Sequence, residues 1–265
     1  MSNFSNIGFA VQNEQEFEAL MERAVNAGTP VAAGDSHYIL YSDQSGAELW
    51  LQFDPNGQFL GVNPHYKGES RRKVRLLHSV DRPESPLDGA FYAEALEQPP
   101  KEDDSENGKS SAEETNEADL SMIYPFVFDV PNQKALEPAE FPKVATIQLT
   151  AFARDFQAFD SEEAYYAGRN SEIAFAPEAF IPSGLFSPDG KEVDPPQAYG
   201  IFTGVIKDAR MRTNRMDGAP YFWMLVNSLG GQVDVVADAR LFKTPPLIGG
   251  IVQGQFWLSG RLISE

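Results

Sequence analysis

Residues 40–66 read LYSDQSGAELWLQFDPNGQFLGVNPHY, and their division into turns and strands decides the fold. Asp43-Gln44-Ser45-Gly46 and Asp54-Pro55-Asn56-Gly57 are turn signals. Proline presets the turn dihedral, Asp and Asn side chains bond nearby backbone, and glycine accepts positive φ. Between and beyond these turns the side chains alternate with the period of two expected of a strand. The stretch predicts strands at Glu48 to Phe53 and Gln58 to Val62, preceded by His37 to Ser42 and, before the Gly34-Asp35 turn, by Pro30 to Ala33.

On the N-terminal side, Asn13 and Glu16 write a helix start. The asparagine oxygen accepts from a free first-turn amide while the glutamate reaches back. Phe17, Leu20, Met21, Ala24 and Val25 then recur at helical spacing, and Gly28 is placed as a left-handed terminator. Ile7 to Val11 is predicted as a strand ahead of this helix. Strand, helix and then three or four strands make the chain α+β.

On the C-terminal side, a basic run from Lys67 to Arg75 leads into strand-like VRLLHSV at 74–80 and FYAEAL at 91–96. The run is a candidate contact for a phosphate or an acidic partner, including the acidic stretch of its own chain. That stretch, 99–119, carries eight carboxylates against two lysines and almost nothing apolar, so it is expected to be a flexible loop. YPFVFDVP at 124–131 is expected to pair with 74–80 across it. Further strands are predicted at 144–156, 199–210, 220–227, 232–237 and 250–262. The expected division is an α+β domain over 1–131 and a β-rich domain over 132–265.

IGFAV, the capped helix, AGTPV, HYILYSDQSGAELWLQF and DPNGQFLGV together resemble a βαβββ module of the glyoxalase and extradiol dioxygenase superfamily. Metal-dependent members of that superfamily carry a ligand in the first strand and a glutamate soon after the DPxG turn. Here Asn6 to Val11 offers no histidine, and Gly61 stands about where the glutamate would fall. The resemblance therefore implies an inherited sheet more than an inherited reaction, and a homodimer, because single modules of this kind pair with a second copy. KTPPLIGGIVQGQFWLSGRL, residues 243–262, is similar to the entry into a late strand of an oligonucleotide/oligosaccharide-binding barrel, which implies a barrel over 199–262.

A net charge of −18 disfavours nucleic acid and anionic membranes as general partners, since a phosphate backbone must be met by clustered Lys and Arg. The absence of cysteine excludes disulfides, thiolate ligands and cysteine nucleophiles from this chain. No apolar run is long enough to span a membrane, and MSNFSNIGFAVQNEQ lacks the pattern of a secretory signal, so a cytoplasmic location is expected. The expected work is non-catalytic binding of a small molecule or a protein, with Tyr38, Trp50 and Tyr66 lining a sheet face and no cofactor. A metal-assisted lyase or isomerase is the enzyme alternative, with His37, Glu48 and His65 holding a divalent ion. A single-stranded nucleic-acid site is the other, with Arg210, Arg212 and Arg215 beside Trp223. The plainer reading of each set is cross-strand packing or a solvated surface.

Overall fold

A computed structural model describes residues 2–97, 120–136, 139–168, 175–187 and 189–263. The acidic stretch 99–119, and any pairing of it with the basic run, lies outside the described residues. Helix α1, Glu14–Ala27, starts as expected. Asn13 Oδ1 accepts from the Glu16 amide at 2.9 Å, and Glu16 Oε2 accepts from the Gln12 amide at 2.9 Å. Leu20, Met21 and Ala24 form its buried face. Gly28 is extended, with φ −86 and ψ 170, rather than left-handed. Glycine is needed there for space, because a Cβ would lie 2.4 Å from Ile39 Cγ2 and 2.8 Å from the Ala24 carbonyl.

Strands β1 (Thr29–Ala33), β2 (Ser36–Ser42), β3 (Ala47–Phe53) and β4 (Phe59–Tyr66) make an antiparallel meander in chain order. Gly46 and Gly57 take the positive φ their turns demand, at 98 and 80. The remaining strands are β5 (Arg72–Asp81), β6 (Gly89–Leu96), β7 (Met122–Asp129), β8 (Lys143–Phe159), β9 (Ala179–Ile181), β10 (Tyr199–Thr213), β11 (Pro220–Ser228), β12 (Gly231–Asp238) and β13 (Ile251–Leu262). They form one mixed nine-stranded sheet in the order β11-β12-β8-β5-β6-β7-β13-β10-β9, with added ladders β10–β11 and β8–β13. A short helix α2, Glu162–Ala167, follows β8 and is capped by Ser161.

The α+β composition agrees with the sequence, but the family resemblances do not hold. The glyoxalase-like βαβββ unit lacks its first strand: Ser5–Ile7 is a 3-10 turn, Gly8 has φ 80, and no strand precedes α1 among the described residues. The segment is instead a plug. Ile7 and Phe9 are fully buried, and Asn6 donates to the Ala153 carbonyl at 2.8 Å while accepting from the Asp238 amide at 3.1 Å. The barrel-like reading of the C-terminal part is corrected as well. Strands from 199 to 262 join β5, β6, β7 and β8 in the mixed nine-stranded sheet and do not form a barrel module of their own. Residues 124–131 pair with β6, not with 74–80, because β6 lies between the two.

Both faces of the small sheet are covered. Tyr41, Leu49, Leu51 and Tyr66 share a core with α1 and with Phe152, Tyr221, Trp223 and Val236 of the large sheet. Tyr38 and Trp50, on the other face, pack against Leu87. The linker between the two sheets is fixed by one carboxylate. Asp234 is fully buried on β12, where it accepts from the Glu69 amide (2.9 Å), the Ser70 amide (3.0 Å), Gln148 Nε2 (2.8 Å) and Trp223 Nε1 (2.8 Å). The linker from β4 to β5 closes over it. A Cβ on Gly68 would lie 2.1 Å from the carboxylate.

Asp234→Ala leaves four donors, three of them buried, without their acceptor, and Gly68→Ala drives a methyl into the carboxylate. Each is expected to lower unfolding stability by about 3 kcal/mol or more in urea titrations. Losses below about 1 kcal/mol for both would show that the linker is held by other contacts.

Candidate functional site

Register on the small sheet decides which of the sequence-nominated residues can meet. Side chains alternate across a strand, so the pairs Glu48↔His65, Trp50↔Asn63 and Gln52↔Gly61 lie on one face, and Leu49↔Pro64 and Phe53↔Phe59 on the other. Tyr38, opposite Gln52, joins the first face, and His37, opposite Phe53, the second. Tyr38 and Trp50 do meet, edge to face with centroids 5.8 Å apart. Tyr66 is on the opposite face, edge to face with Tyr221. Tyr38 has no exposed area, and its hydroxyl donates to the Leu87 carbonyl at 2.8 Å. The three aromatics therefore do not line one surface.

Glu48 and His65 are brought together and His37 is not. The His37 ring stacks on Phe53 at 5.2 Å, on the far side of the sheet. Among the described residues no group of three or more His, Asp or Glu is placed to hold a metal ion. The His65 ring is wholly buried, with Nδ1 2.8 Å from Ser259 Oγ on β13 and the Gln148 side chain beside the ring. Burial, followed by the positive charge of Arg261, lowers its pKa to about 3. It is a neutral interior ring at ordinary pH.

Glu48 is also buried, 2% exposed, yet it borders open space. Ser42 Oγ donates to Oε1 at 3.2 Å and Trp50 Nε1 to Oε2 at 3.2 Å, while Arg261 Nη1 lies 3.8 Å from Oε1. Burial raises its pKa above the ordinary carboxylate value despite Arg261 and these donors. Beside it is a cleft of about 390 Å³ walled by Leu40, Trp50, Leu136 and Leu262, with Lys67 and Arg261 supplying positive charge. Arg261 Nε is buried and without a hydrogen-bond partner. Sequence reasoning found Glu48 and Trp50, which share a strand face, but missed Arg261. Arg261 lies 213 residues after Glu48 in the chain and only sheet topology joins them.

The basic cluster is engaged within the chain. Trp223 has no exposed area and gives its indole N–H to Asp234, with the Arg210 and Arg212 guanidinium carbons 5.0 and 5.8 Å from its ring centroid. Arg210 pairs with Asp208 and, at 3.2 Å, with Glu69. Arg215 reaches the Gln44 side chain. The ring proposed for base stacking faces the interior. Among the described residues no helix is long and apolar enough to cross a membrane. Comparison with known protein-family models, curated proteins and solved structures finds no match to this chain.

His65 gives a signed pH dependence. Its folded pKa of about 3 lies below the unfolded value of 6.5, so across that window the unfolded chain binds the extra proton. Stability is fully present above the window and is lost on acidification, by up to about 1.4 kcal/mol per pH unit. His65→Gln, which cannot titrate, is expected to show a slope shallower by one proton between about pH 6 and 4. Superimposable slopes would mean that the ring titrates normally in the fold.

Proposed function

We propose that the chain is a non-catalytic binding protein whose ligand is a small, partly apolar molecule seated in the cleft beside Glu48 and Trp50. The observation that carries this reading is Glu48 itself: a buried carboxyl with raised pKa, set against a cleft that also holds the unpartnered Arg261 Nε. Ligand sites are typically apolar concavities with a few convergent polar groups, and here Leu40, Trp50, Leu136 and Leu262 supply the walls. Glu48 and Arg261 supply orientation. The Arg261 guanidinium, in a side chain 24% exposed, offers donors to a ligand oxygen, and the Glu48 carboxyl, when protonated, offers another.

A small-molecule screen read by protein-observed NMR is expected to give shifts clustered at Ser42, Lys67 and Arg261. Hits are expected to bind about tenfold more weakly to Arg261→Ala, the effect of losing one charge-assisted bond. Hits that leave these residues unmoved, or a screen without hits, would sink the reading. Glu48→Gln separates the carboxyl from its charge. A carboxyl whose folded pKa is raised makes the folded state less stable as pH climbs from the ordinary value of 4.5 through the folded value. Glu48→Gln is therefore expected to match or exceed the wild type in stability at pH 7, and a marked loss there would show that the ionised group is needed.

A further inference from the structure

Arg72 opens β5 and is 1% exposed, although it begins as part of a basic run that reads as surface. Its neighbours explain the burial. Arg72, Val74 and Leu76 alternate inward along β5, while Lys73 and Arg75 are only half-buried. The guanidinium lies 5.6 Å from the Phe126 ring centroid. Nη2 donates to Tyr124 Oη at 3.0 Å and, at the long distance of 3.4 Å, to the Leu229 carbonyl. Nε and Nη1 have no partner at all. A guanidinium has five N–H bonds, two of them on Nη2, so about three remain unmet. No carboxylate pairs with Arg72 among the described residues.

A buried charge without a counter-charge is strongly unfavourable, and here it occurs at the wall of an open cleft. That cleft, of about 660 Å³, is lined by Arg71, Arg72 and Lys73 on one side and by the β11–β12 turn on the other. Ile123 and Leu229 give it apolar surface, and Asn227 Oδ1 is a second buried polar atom without a partner. Gly230 lets the turn lie directly on the guanidinium: φ is 81, and a Cβ there would be 2.4 Å from Arg72 Nη2. Leu229 is 40% exposed, so the acceptor most weakly bound to Arg72 belongs to a residue at the surface.

We propose that this cleft binds a small organic monoanion, a carboxylate carrying an apolar group, through Arg72. A ligand oxygen takes the place of the Leu229 carbonyl at Nη2, that carbonyl keeping its 2.7 Å bond from Tyr124 Oη, and supplies the acceptor that Nη1 lacks, a two-pronged contact of the kind guanidinium makes with carboxylate. Charge selects the class. Arg72 brings one buried positive charge whose Nε and Nη1 lack acceptors, and a monoanion matches it better than a dianion, which Glu97 and Glu178 at the cleft also repel. The apolar part of the ligand rests on Ile123 and Leu229, and a hydroxyl on it would reach Asn227. This site is independent of the cleft beside Glu48.

The test uses the full chain with benzoate, the isosteric neutral benzamide and inorganic phosphate, read by calorimetry and by the arginine Nε resonances in NMR. Benzoate is expected to bind and to move the Arg72 Nε signal, benzamide to bind at least about tenfold more weakly, and phosphate more weakly than benzoate. Arg72→Met, which keeps the stem and removes the charge, is expected to abolish benzoate binding. Absence of benzoate binding, equal binding of benzamide, tighter binding of phosphate, or retention of binding by Arg72→Met would each overturn the proposal. Should Arg72→Met not fold, the wild-type Nε signal decides alone: a signal unmoved by saturating benzoate overturns the site.

Discussion

The architecture depends on a buried anion held by neutral donors. Asp234 lies on β12 between Val233 and Val235, both fully buried, in a strand with no solvent face to which a carboxylate could escape. Burying it costs several kcal/mol, and the offset comes from two backbone amides, one side-chain amide and one indole, each worth about 1.5–3 kcal/mol to a charged acceptor. Those donors come from the β4–β5 linker, from β8 and from β11, so satisfying one side chain fixes where three other segments run. The linker is also the covalent bridge between the small meander and the large sheet. Its placement sets how the two sheets meet.

That meeting creates the cleft beside Glu48. The linker brings Lys67 to the end of β4, and β13 crosses the same sheet face with Ser259 against His65 and Arg261 against Glu48. A small four-stranded sheet with one bare face would expose its apolar side chains, and here each face has a separate cover. One face takes α1 and the plug at Ile7 and Phe9, and the other takes Leu87, Ala135 and the end of β13. The cleft is the gap where this second cover does not close.

Local chemistry was legible in the sequence and long-range chemistry was not. Asn13 with Glu16, and the DPNG turn, act within a few residues, and the structure forms both as read. Ile7 to Val11 alternates like a strand, but its conformation is set by Asn6 bonding to Ala153 and Asp238, 147 and 232 residues away. The same limit hid Arg261 from Glu48. Gly28 misled differently, because its position invites a left-handed cap whereas its reason is the closeness of Ile39. A subtler signal was present for Arg72: its alternation with Val74 and Leu76 marks it as inward-facing even inside a run of charges.

Asp234 and Arg72 are treated in opposite ways by the same fold, and the contrast bears on function. Both are buried charges on strands of the large sheet, and both lie beside glycine-bearing connections that would collide with a Cβ. Around the anion every acceptor position that matters is filled from within the chain. Around the cation, two of three nitrogens are left unmet, next to open volume. A fold able to satisfy one buried charge completely has the means to satisfy another, for instance by a carboxylate in place of Asn227 or Ser228, which line the same cleft on β11. Buried polar groups left unsatisfied concentrate where a protein meets something outside itself. The unmet N–H groups of Arg72 thus mark the place where the fold leaves a charge to be answered, as the fully met carboxylate of Asp234 marks where it answers one itself.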